Sequence, residues 1–333
     1  MARYGSLDPT HRANPDASQA NQVCQRPSRF RQPQFDWRGS MNKRFQSGRQ
    51  TRREFLKKTA VSAALAASPF GAASAQVRRV DNIGLQLYSL RREMAEDFEG
   101  TLAQLAEIGF TEMEFAGYHG KTPREVRGIL DSFGLTSPAS HVPLQAIRDN
   151  LDQEIETAVT LGQQYMVLPW LPENERSLDS YHRIAELLNR TGEKTREAGI
   201  IIGYHNHDFE FDIHEGGRIG YDILTSETEP DLVMFEMDLF WAEEAGYDAT
   251  FFFLKYPGRY PMIHVKDRAG SGEMADVGRG YIDFQELFSY GSKGGFRHYF
   301  IEHDNPTDGI QSMAYSYNTV RNLRFNSTYE LPY

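Results

Sequence analysis

From residue 80 onward the chain alternates between two hydrophobic patterns, and this alternation restricts its fold more than any other feature. Short β-branched or aromatic runs are typical of strands, and the longer amphipathic segments between them are typical of helices. The eight predicted strands are Ile83–Tyr88, Thr111–Ala116, Leu135–His141, Tyr165–Pro169, Ile200–His205, Leu232–Asp238, Met262–Lys266 and Tyr299–Glu302. The eight predicted helices lie near residues 97–109, 122–133, 148–162, 177–198, 219–226, 248–256, 283–290 and 309–324.

Eight strands that alternate with eight helices predict an α/β fold of the closed (β/α)₈ type, a TIM barrel. An open doubly wound sheet more often has a glycine-rich phosphate loop after its first strand. Here the first strand runs into residues 86–91 (QLYSLR), which contain no glycine. The length of residues 76–333 suits one barrel, and we find no internal repeat, so we expect a single domain there.

The segment before the barrel has the three parts of an export signal. Residues 51–58 (TRREFLKK) carry paired arginines, residues 59–67 (TAVSAALAA) form a short apolar run, and residues 73–75 (ASA) form a small-residue cleavage site. We therefore predict a twin-arginine signal peptide at 51–75, cleaved near Ala75, and a periplasmic or otherwise exported protein. The export machinery is then a partner. The apolar run is too short to span a bilayer, so we expect no membrane anchor in the mature form.

Residues 1–50 are rich in Arg, Gln, Asn, Ser and Pro and show little apolar periodicity. Such a composition cannot bury enough surface to order itself. A twin-arginine signal normally lies close to the true N-terminus, and Met41 precedes the paired arginines closely. We therefore predict a disordered or untranslated extension over residues 1–50, and the hypothesis is that translation starts at Met41, with Met1 as the alternative.

Residues 76–333 contain 23 basic and 42 acidic side chains, a net charge of −19. Nucleic acids and anionic membranes need a basic surface, so neither is an expected partner. The single cysteine, Cys24, lies upstream of the signal, which excludes disulfides and thiolate ligands from the mature domain. Any metal ion must therefore be bound by His, Asp and Glu side chains.

Polar residues cluster where the predicted strands end, which is the edge where TIM barrels place their functional groups. Strand two contains Glu112 and Glu114, and strand three ends at His141. Strands five to eight each end in a short polar segment, namely residues 205–208 (HNHD), 236–238 (EMD), 264–267 (HVKD) and 302–304 (EHD). Alternate residues of a strand share a face, so several strands present two polar groups inward. His and carboxylate ligands without sulfur suit Mn²⁺, Zn²⁺, Co²⁺ or Fe²⁺.

These residues resemble the xylose-isomerase-like TIM barrels, a group that includes sugar phosphate isomerases/epimerases, ketose 3-epimerases, inosose dehydratase and endonuclease IV. The resemblance extends from residues 83–88 (IGLQLY) to about residue 325, and its most specific pieces are residues 203–211 (GYHNHDFEF), 236–241 (EMDLFW), 264–267 (HVKD) and 300–304 (FIEHD). It implies an enzyme that removes a proton next to a sugar carbonyl with the help of one divalent ion.

The resemblance also implies a ligand set. In the epimerase branch Glu, Asp, His and Glu from strands five to eight bind the ion. Asp238, His264 and Glu302 match the last three, whereas His205 stands where the epimerases have glutamate. The implied metal site is His205, Asp238, His264 and Glu302, with Mn²⁺ as the first choice and Zn²⁺, Co²⁺, Fe²⁺ or Mg²⁺ as alternatives. The missing glutamate puts two-base epimerisation in doubt.

The remaining candidates have roles in catalysis or in substrate binding. Glu302 is the first candidate for the base and His207 the second, and Lys266 is a third catalytic candidate that holds a substrate hydroxyl. The predicted substrate-binding residues are His141, Trp241, Tyr88 and Glu114. Phe240 and Trp170 are further candidates for an apolar wall beside a sugar ring.

Three functions remain open. The first is a divalent-metal-dependent sugar isomerase or epimerase that acts through a metal-stabilised enediolate. The second is a lyase-type enzyme that eliminates a leaving group from 3-keto sugars or glycosides, which export and the missing glutamate favour. The third is a sugar-binding protein without catalysis. Export argues for unphosphorylated sugars or glycosides, the acidic charge argues against the endonuclease branch, and a homo-oligomer is left open.

Overall fold

Eight short parallel strands form the centre of the structure, a computed structural model that describes residues 77–327. In chain order they are β1 Ile83–Gln86, β2 Glu112–Glu114, β3 Ala139–His141, β4 Tyr165–Leu168, β5 Ile201–His205, β6 Val233–Asp238, β7 Met262–Val265 and β8 His298–Ile301. Their order in the sheet is β2-β1-β8-β7-β6-β5-β4-β3. The signal peptide predicted at 51–75 and the extension predicted at 1–50 lie outside the described residues.

The two ends of this sheet, β2 and β3, meet through a few bonds only. Two isolated parallel bridges join Glu112 to Thr136 and Phe115 to Ser140. The backbone N–H of Thr136 donates to Thr111 at 3.0 Å, and that of His141 donates to Phe115 at 2.7 Å. Pro138 lies between these bonds and has no N–H to donate, which interrupts the pairing. The barrel is therefore nearly closed, and the predicted (β/α)₈ architecture is confirmed.

Helices cover the outside of the barrel, and each of the eight predicted helices is present within about three residues of its expected ends. The α-helices are Arg91–Glu96, Phe98–Ile108, Pro123–Phe133, Leu144–Asp149, Leu151–Leu161, Leu178–Arg196, Gly220–Glu227, Leu239–Glu244, Ala249–Lys255, Phe284–Ser289, Gly291–Gly294 and Gly309–Asn322. Four of them, all of six residues or fewer, were not predicted because so short a segment shows no clear period. Among residues 77–327, no helix has the length and apolar character needed to cross a membrane.

The first strand ends earlier than predicted. Gln86 turns its side chain back so that Oε1 accepts a hydrogen bond from the backbone N–H of Tyr88 at 2.9 Å. This bond begins a 3₁₀ turn at Leu87–Leu90, so Tyr88 lies on a loop rather than in the strand. Four further two-residue strands pair Val77–Arg78 with Phe325–Asn326 and Asp267–Arg268 with Met274–Ala275.

The interior of the barrel is apolar at its floor and polar above it. Ala139, Tyr165, Val167, Met262 and Phe300 form a separate buried cluster, apart from the larger core between the sheet and the helices. The ring of Phe300 fills the space beside β1: a Cβ atom on Gly84 would lie 2.5 Å from it, so glycine is required there. Two residues further along their strands, Met262 and Phe300 are followed by His264 and Glu302, which begin the polar layer.

One buried carboxylate organises the loop that follows β7. Asp267 is 1% exposed, and its two oxygens accept hydrogen bonds from the backbone N–H groups of Arg268, Gly278, Gly280 and Ile282 at 2.8 to 3.2 Å. A loop whose N–H groups converge on one carboxylate keeps one conformation as long as that carboxylate remains.

We expect Asp267→Ala to lower the free energy of unfolding by about 2–4 kcal/mol, because it leaves several backbone N–H groups without their acceptor. Urea denaturation followed by circular dichroism measures this loss. Asp231→Ala is the control: Asp231 is exposed and should leave the unfolding midpoint unchanged. Equal midpoints for the two variants would contradict the role given to Asp267.

Candidate metal centre

The polar ends of β5, β6, β7 and β8 meet inside the barrel. His205 and Asp238 are the last residues of β5 and β6, His264 lies within β7, and Glu302 follows β8 directly. Since parallel strands of a barrel all end at one edge, side chains of matching phase converge on its axis. All four are buried, with exposed fractions between 0 and 5%.

We call His205, Asp238, His264 and Glu302 the upper group. One donor atom from each lies within 4.8 Å of the others. His205 Nε2 is 3.3 Å from Asp238 Oδ2, and His264 Nδ1 is 2.8 Å from Glu302 Oε2. The four residues that the sequence suggested as metal ligands are thus within reach of a single ion.

Neighbouring groups orient these ligands. Asp238 Oδ1 accepts the backbone N–H of Trp241 at 3.0 Å, which leaves Oδ2 for the group. Asn206 fixes the end of β6: its Oδ1 accepts the N–H of Asp238 at 3.0 Å and its Nδ2 donates to the carbonyl of Asp238 at 3.3 Å. His205 Nδ1 faces the carbonyl of Pro169 at 3.2 Å, so that Nε2 points into the group. Such outer contacts set ligand orientation in metal sites.

Lys266 supplies a positive charge to the upper group. Its Nζ lies 3.0 Å from Asp238 Oδ2, 2.7 Å from Glu302 Oε2 and 3.0 Å from Asp304 Oδ1. Burial opposes the charge of this ammonium, but Asp238, Glu302 and Asp304 outweigh it and raise the pKa of Lys266. The ammonium therefore stays charged and contacts two of the oxygens that a metal ion would need.

A second set of side chains lies beside the upper group and shares His264 with it. We call Glu114, His141, Glu236 and His264 the lower group, whose donor atoms also lie within 4.8 Å of one another. His264 Nε2 is 2.8 Å from Glu114 Oε2 and 3.1 Å from Glu236 Oε2. His141 Nε2 is 2.8 Å from Glu236 Oε2.

Burial and neighbouring charges together shift the pKa values of these groups. Burial, with the charge of Glu236, raises the pKa of Glu114 to about 7. Burial also disfavours the charged forms of Glu302 and His264. For Glu302, however, the charges of Lys266 and His264 hold the pKa well below its usual range. The carboxylates around His264 raise its pKa well above the usual 6.5.

A cavity of about 760 Å³ opens above the upper group. Its lining residues are Tyr88, Ala116, Gly117, Tyr118, Lys121, Pro123, His141, Val142, Pro143, Gln153, Glu154, Thr157, Pro169, Trp170, His205, His207, Lys266, Glu302 and Asp304. Polar groups of the strand ends form one wall, and the loops after β2, β3 and β4 form the others. A cavity of this size accommodates a sugar together with a substituent.

His207 lies on the cavity wall next to the upper group. Burial lowers the pKa of His207 well below 6.5, and the charges of His205 and Lys266 act in the same direction, so its ring is neutral. Its Nδ1 is buried without a hydrogen-bond partner. The backbone N–H of His207 donates to Glu210 Oε2 at 2.7 Å, which fixes the residue.

Most of the side chains suggested by the sequence come together here. His205, His207, Lys266, Glu302, His141 and Tyr88 line the cavity, and Asp238, His264 and Glu114 are completely buried against them. Trp241 does not line the cavity; its ring lies 5.3 Å from that of His207 and 5.4 Å from Lys266 Nζ. Trp170 lines the cavity, whereas Phe240 is 3% exposed and lies elsewhere.

Sequence reasoning assigned no role to Glu236, Asp304 or Asn206. Glu236 shares the inward face of β6 with Asp238, a phase relation that identifies it as a second inward carboxylate. Asp304 lies two residues after Glu302, which places it beside Lys266. The cavity residues Tyr118 and Lys121 lie on a loop, where no periodic pattern indicates the direction of a side chain.

The donor set of the upper group fits a divalent ion of borderline or hard character. Two imidazoles and two carboxylates, all buried, match the ligands preferred by Mn²⁺, Fe²⁺, Co²⁺ and Zn²⁺. The two carboxylates balance the charge of one such ion. An ion bound there competes with Lys266 Nζ for Asp238 Oδ2 and Glu302 Oε2.

A nearly closed parallel barrel with convergent polar groups at the carboxyl ends of its strands defines the class of protein. The chain belongs to the xylose isomerase-like TIM barrel family, whose model matches residues 81–316. The family membership that residues 203–211 and 300–304 suggested is thereby confirmed.

Individual relatives are more distant. An inosose dehydratase of Geobacillus kaustophilus (strain HTA426) is 24% identical over 189 residues, which cover 50% of this chain and 60% of that protein. An inosose dehydratase of Lacticaseibacillus casei is 28% identical over 141 residues, 37% of this chain and 46% of the relative. The chain thus spans less than two thirds of these curated relatives. The crystal structure of a sugar phosphate isomerase/epimerase from Parabacteroides distasonis ATCC 8503 is 27% identical, with a TM-score of 0.61 over 74% of this chain and 94% of that one.

We expect Lys266→Met to tighten Mn²⁺ binding about tenfold or more, because it removes a positive charge that contacts two ligand oxygens. Without metal the same variant should lose about 3–5 kcal/mol of stability, since two buried carboxylates lose their partner. Isothermal titration with Mn²⁺ and thermal unfolding in EDTA measure the two effects. Lys255→Met removes a surface ion pair with Asp222 and should change neither. Weaker Mn²⁺ binding in Lys266→Met would contradict the competition described above.

Proposed function

We propose that this protein is a divalent-metal-dependent enzyme of the sugar isomerase/epimerase type, which removes a proton next to the carbonyl of its substrate. The observation that carries the proposal is the upper group: four buried His, Asp and Glu side chains converge beneath a cavity large enough for a sugar. The family and its sugar phosphate isomerase/epimerase relative support the same chemistry. An ion bound by the upper group would act as a Lewis acid on the substrate oxygens.

We assign the proton abstraction to His207. A base must be unprotonated and free to accept, and the lowered pKa of His207 keeps its ring neutral. Since Nδ1 is enclosed by protein, Nε2 is the nitrogen that we assign to the transfer. Glu302, the first candidate from the sequence, is less available as a base, because Lys266 Nζ and His264 Nδ1 both contact its Oε2.

The other cavity residues position the substrate. Lys266 lies at the cavity wall with a permanent charge, and it can donate to a substrate hydroxyl or developing oxyanion that displaces one of its carboxylate partners. His141 is held by Glu236 at 2.8 Å and presents its ring to the same space. Tyr88 and Trp170 are 44% and 47% exposed at the cavity mouth, where they can cover the apolar face of a sugar ring.

Elimination from the same enediolate is the second candidate function. It has a specific observation in its favour: His205 occupies the position where two-base epimerases have a second glutamate. An enzyme that expels a leaving group needs no second base to return the proton on the opposite face. The curated relatives are dehydratases by name, which agrees with this outcome.

Unphosphorylated sugars or glycosides are the substrates that we favour. Lys121 and Lys266 are the two lysines among the described residues lining the cavity, and no arginine lines it. Lys266 is already paired with three carboxylates, so little positive charge remains for a phosphate. The twin-arginine signal proposed at 51–75 supports the same choice, because sugar phosphates are scarce outside the cytoplasm.

An exchange experiment tests the reaction type. The Mn²⁺-loaded protein is incubated in D₂O with free ketoses and with 3-keto-glycosides, and products are followed by NMR. We expect deuterium at the carbon next to the carbonyl, with an isomeric sugar if the proton is returned and a released aglycone if elimination follows. Binding without exchange in either set would refute the enzymatic proposal and leave a sugar-binding protein.

We expect His207→Asn to lower kcat about 10²–10⁴-fold while Mn²⁺ content stays unchanged. Because the pKa of His207 lies well below 6.5, the wild-type rate should stay level from pH 8 to 6.5 and decline only as pH falls through that lowered value. His182→Asn is the control, since this exposed histidine pairs with Glu227 on the helical outer face. A rate limb centred at pH 6.5 or above would contradict the assignment.

A further inference from the structure

We propose that the lower group is a second divalent-cation site, and that the two nitrogens of His264 join it to the upper site. Glu114, His141, Glu236 and His264 Nε2 would bind this ion, while His205, Asp238, Glu302 and His264 Nδ1 would bind the first. The inference goes beyond the proposed function, because it concerns a binding site whose occupancy can be measured without any substrate.

The donor atoms of the lower group form a closed ring of alternating oxygen and nitrogen. His264 Nε2 lies 2.8 Å from Glu114 Oε2 and 3.1 Å from Glu236 Oε2. His141 Nε2 lies 2.8 Å from Glu236 Oε2 and 3.6 Å from Glu114 Oε2, which closes the ring. Ligands at about 2.0–2.2 Å from one ion lie roughly 3.0–3.5 Å from each other. The ring already has nearly these dimensions.

Hydrogen bonding alone accounts poorly for this ring. An imidazole nitrogen carries at most one proton, yet His264 Nε2 lies 2.8 and 3.1 Å from two carboxylate oxygens. His141 Nε2 lies 2.8 Å from one carboxylate oxygen and 3.6 Å from a second. A buried pair elsewhere in the barrel shows the simpler arrangement: His298 Nδ1 contacts one oxygen of Glu112 at 2.9 Å. Four atoms that converge on one centre are the arrangement that a cation requires.

The carboxylates of the ring also have oxygens without partners. Glu114 and Glu236 are 0% exposed, and the Oε1 atom of each has no hydrogen-bond partner. A buried carboxylate oxygen without a partner costs free energy that an ion would recover through bidentate or bridging contact. Gln86 also contacts the ring, because its Nε2 donates a hydrogen bond to Glu114 Oε2 at 2.8 Å.

The charges of both groups agree with two ions. Each group contains two carboxylates, which one divalent ion neutralises. Lys266 contacts the upper group through Asp238 and Glu302, whereas no lysine or arginine contact to the lower group is found among the described residues. The lower group therefore has no built-in cation other than its own histidines.

His264 offers one nitrogen to each group. Its Nδ1 lies 2.8 Å from Glu302 Oε2, and its Nε2 lies 2.8 Å from Glu114 Oε2. If both nitrogens bound ions, the imidazolium ring would lose both N–H protons to solvent and would become an imidazolate. The lower ion would then fix the orientation of a ligand of the upper ion.

The test is to count and locate Mn²⁺ in the full-length protein. Metal-free protein is dialysed against excess Mn²⁺, and bound metal is measured by inductively coupled plasma mass spectrometry. Anomalous diffraction from crystals of the same sample then locates the ions. We expect two equivalents per chain in the wild type, with two anomalous peaks on opposite sides of the His264 ring.

The variants separate the two sites. Glu236→Gln and Glu114→Gln should each retain one equivalent, located in the upper group, and His205→Gln should retain one in the lower group. Glu112→Gln is the matched control, because this buried glutamate lies two residues before Glu114 on the same strand and should leave two equivalents.

The proposal is overturned if the wild type binds no more than one equivalent, or if its crystals show a single peak wherever that peak lies. It is also overturned if Glu236→Gln and Glu114→Gln both keep two equivalents. The wild-type measurement needs no variant, so a variant that fails to fold does not remove the test. Metal counts are independent of turnover, so failure of the sugar reaction would be recognised separately.

Discussion

The arrangement of the polar site depends on the ion pairs that the buried imidazole of His264 makes with its neighbouring carboxylates. Carboxylates face both of its nitrogens, and they raise its pKa although burial opposes a charge there. Without an ion, this imidazolium and the ammonium of Lys266 keep the buried carboxylates compensated. An ion bound here would have to displace these positive charges, because the protons and the ammonium contact the same oxygens.

Much of this arrangement could be predicted from the sequence. The alternation of patterns predicted all eight strands and eight of the helices, and the phase of residues within strands placed Asp238, His264 and Glu302 on one axis. The early end of β1 could not be predicted, because it depends on a single bond from Tyr88 to the Gln86 side chain. Nor could the position of Trp241, whose backbone N–H donates to Asp238 and whose ring lies behind the cavity-lining residues His207 and Lys266.

The polar layer also shows why a residue-by-residue match to a family is incomplete. The match identified His205, Asp238, His264 and Glu302, all from strands β5 to β8. It did not identify Glu236, which lies two residues before Asp238 on β6. It also did not identify the contacts to β2 and β3, in which Glu114 pairs with His264 and His141 pairs with Glu236. Those contacts run across the barrel, and spacing along one strand contains no information about the opposite strand.

The lower group also makes side-chain contacts across the incomplete junction between β2 and β3. Glu114 ends β2 and His141 ends β3, the two strands joined by isolated bridges around Pro138. Glu114 Oε2 lies 3.6 Å from His141 Nε2 across that junction, and both contact the Glu236 and His264 side of the barrel. The polar cluster therefore adds side-chain contacts across the junction at which the two strands share only isolated backbone bridges.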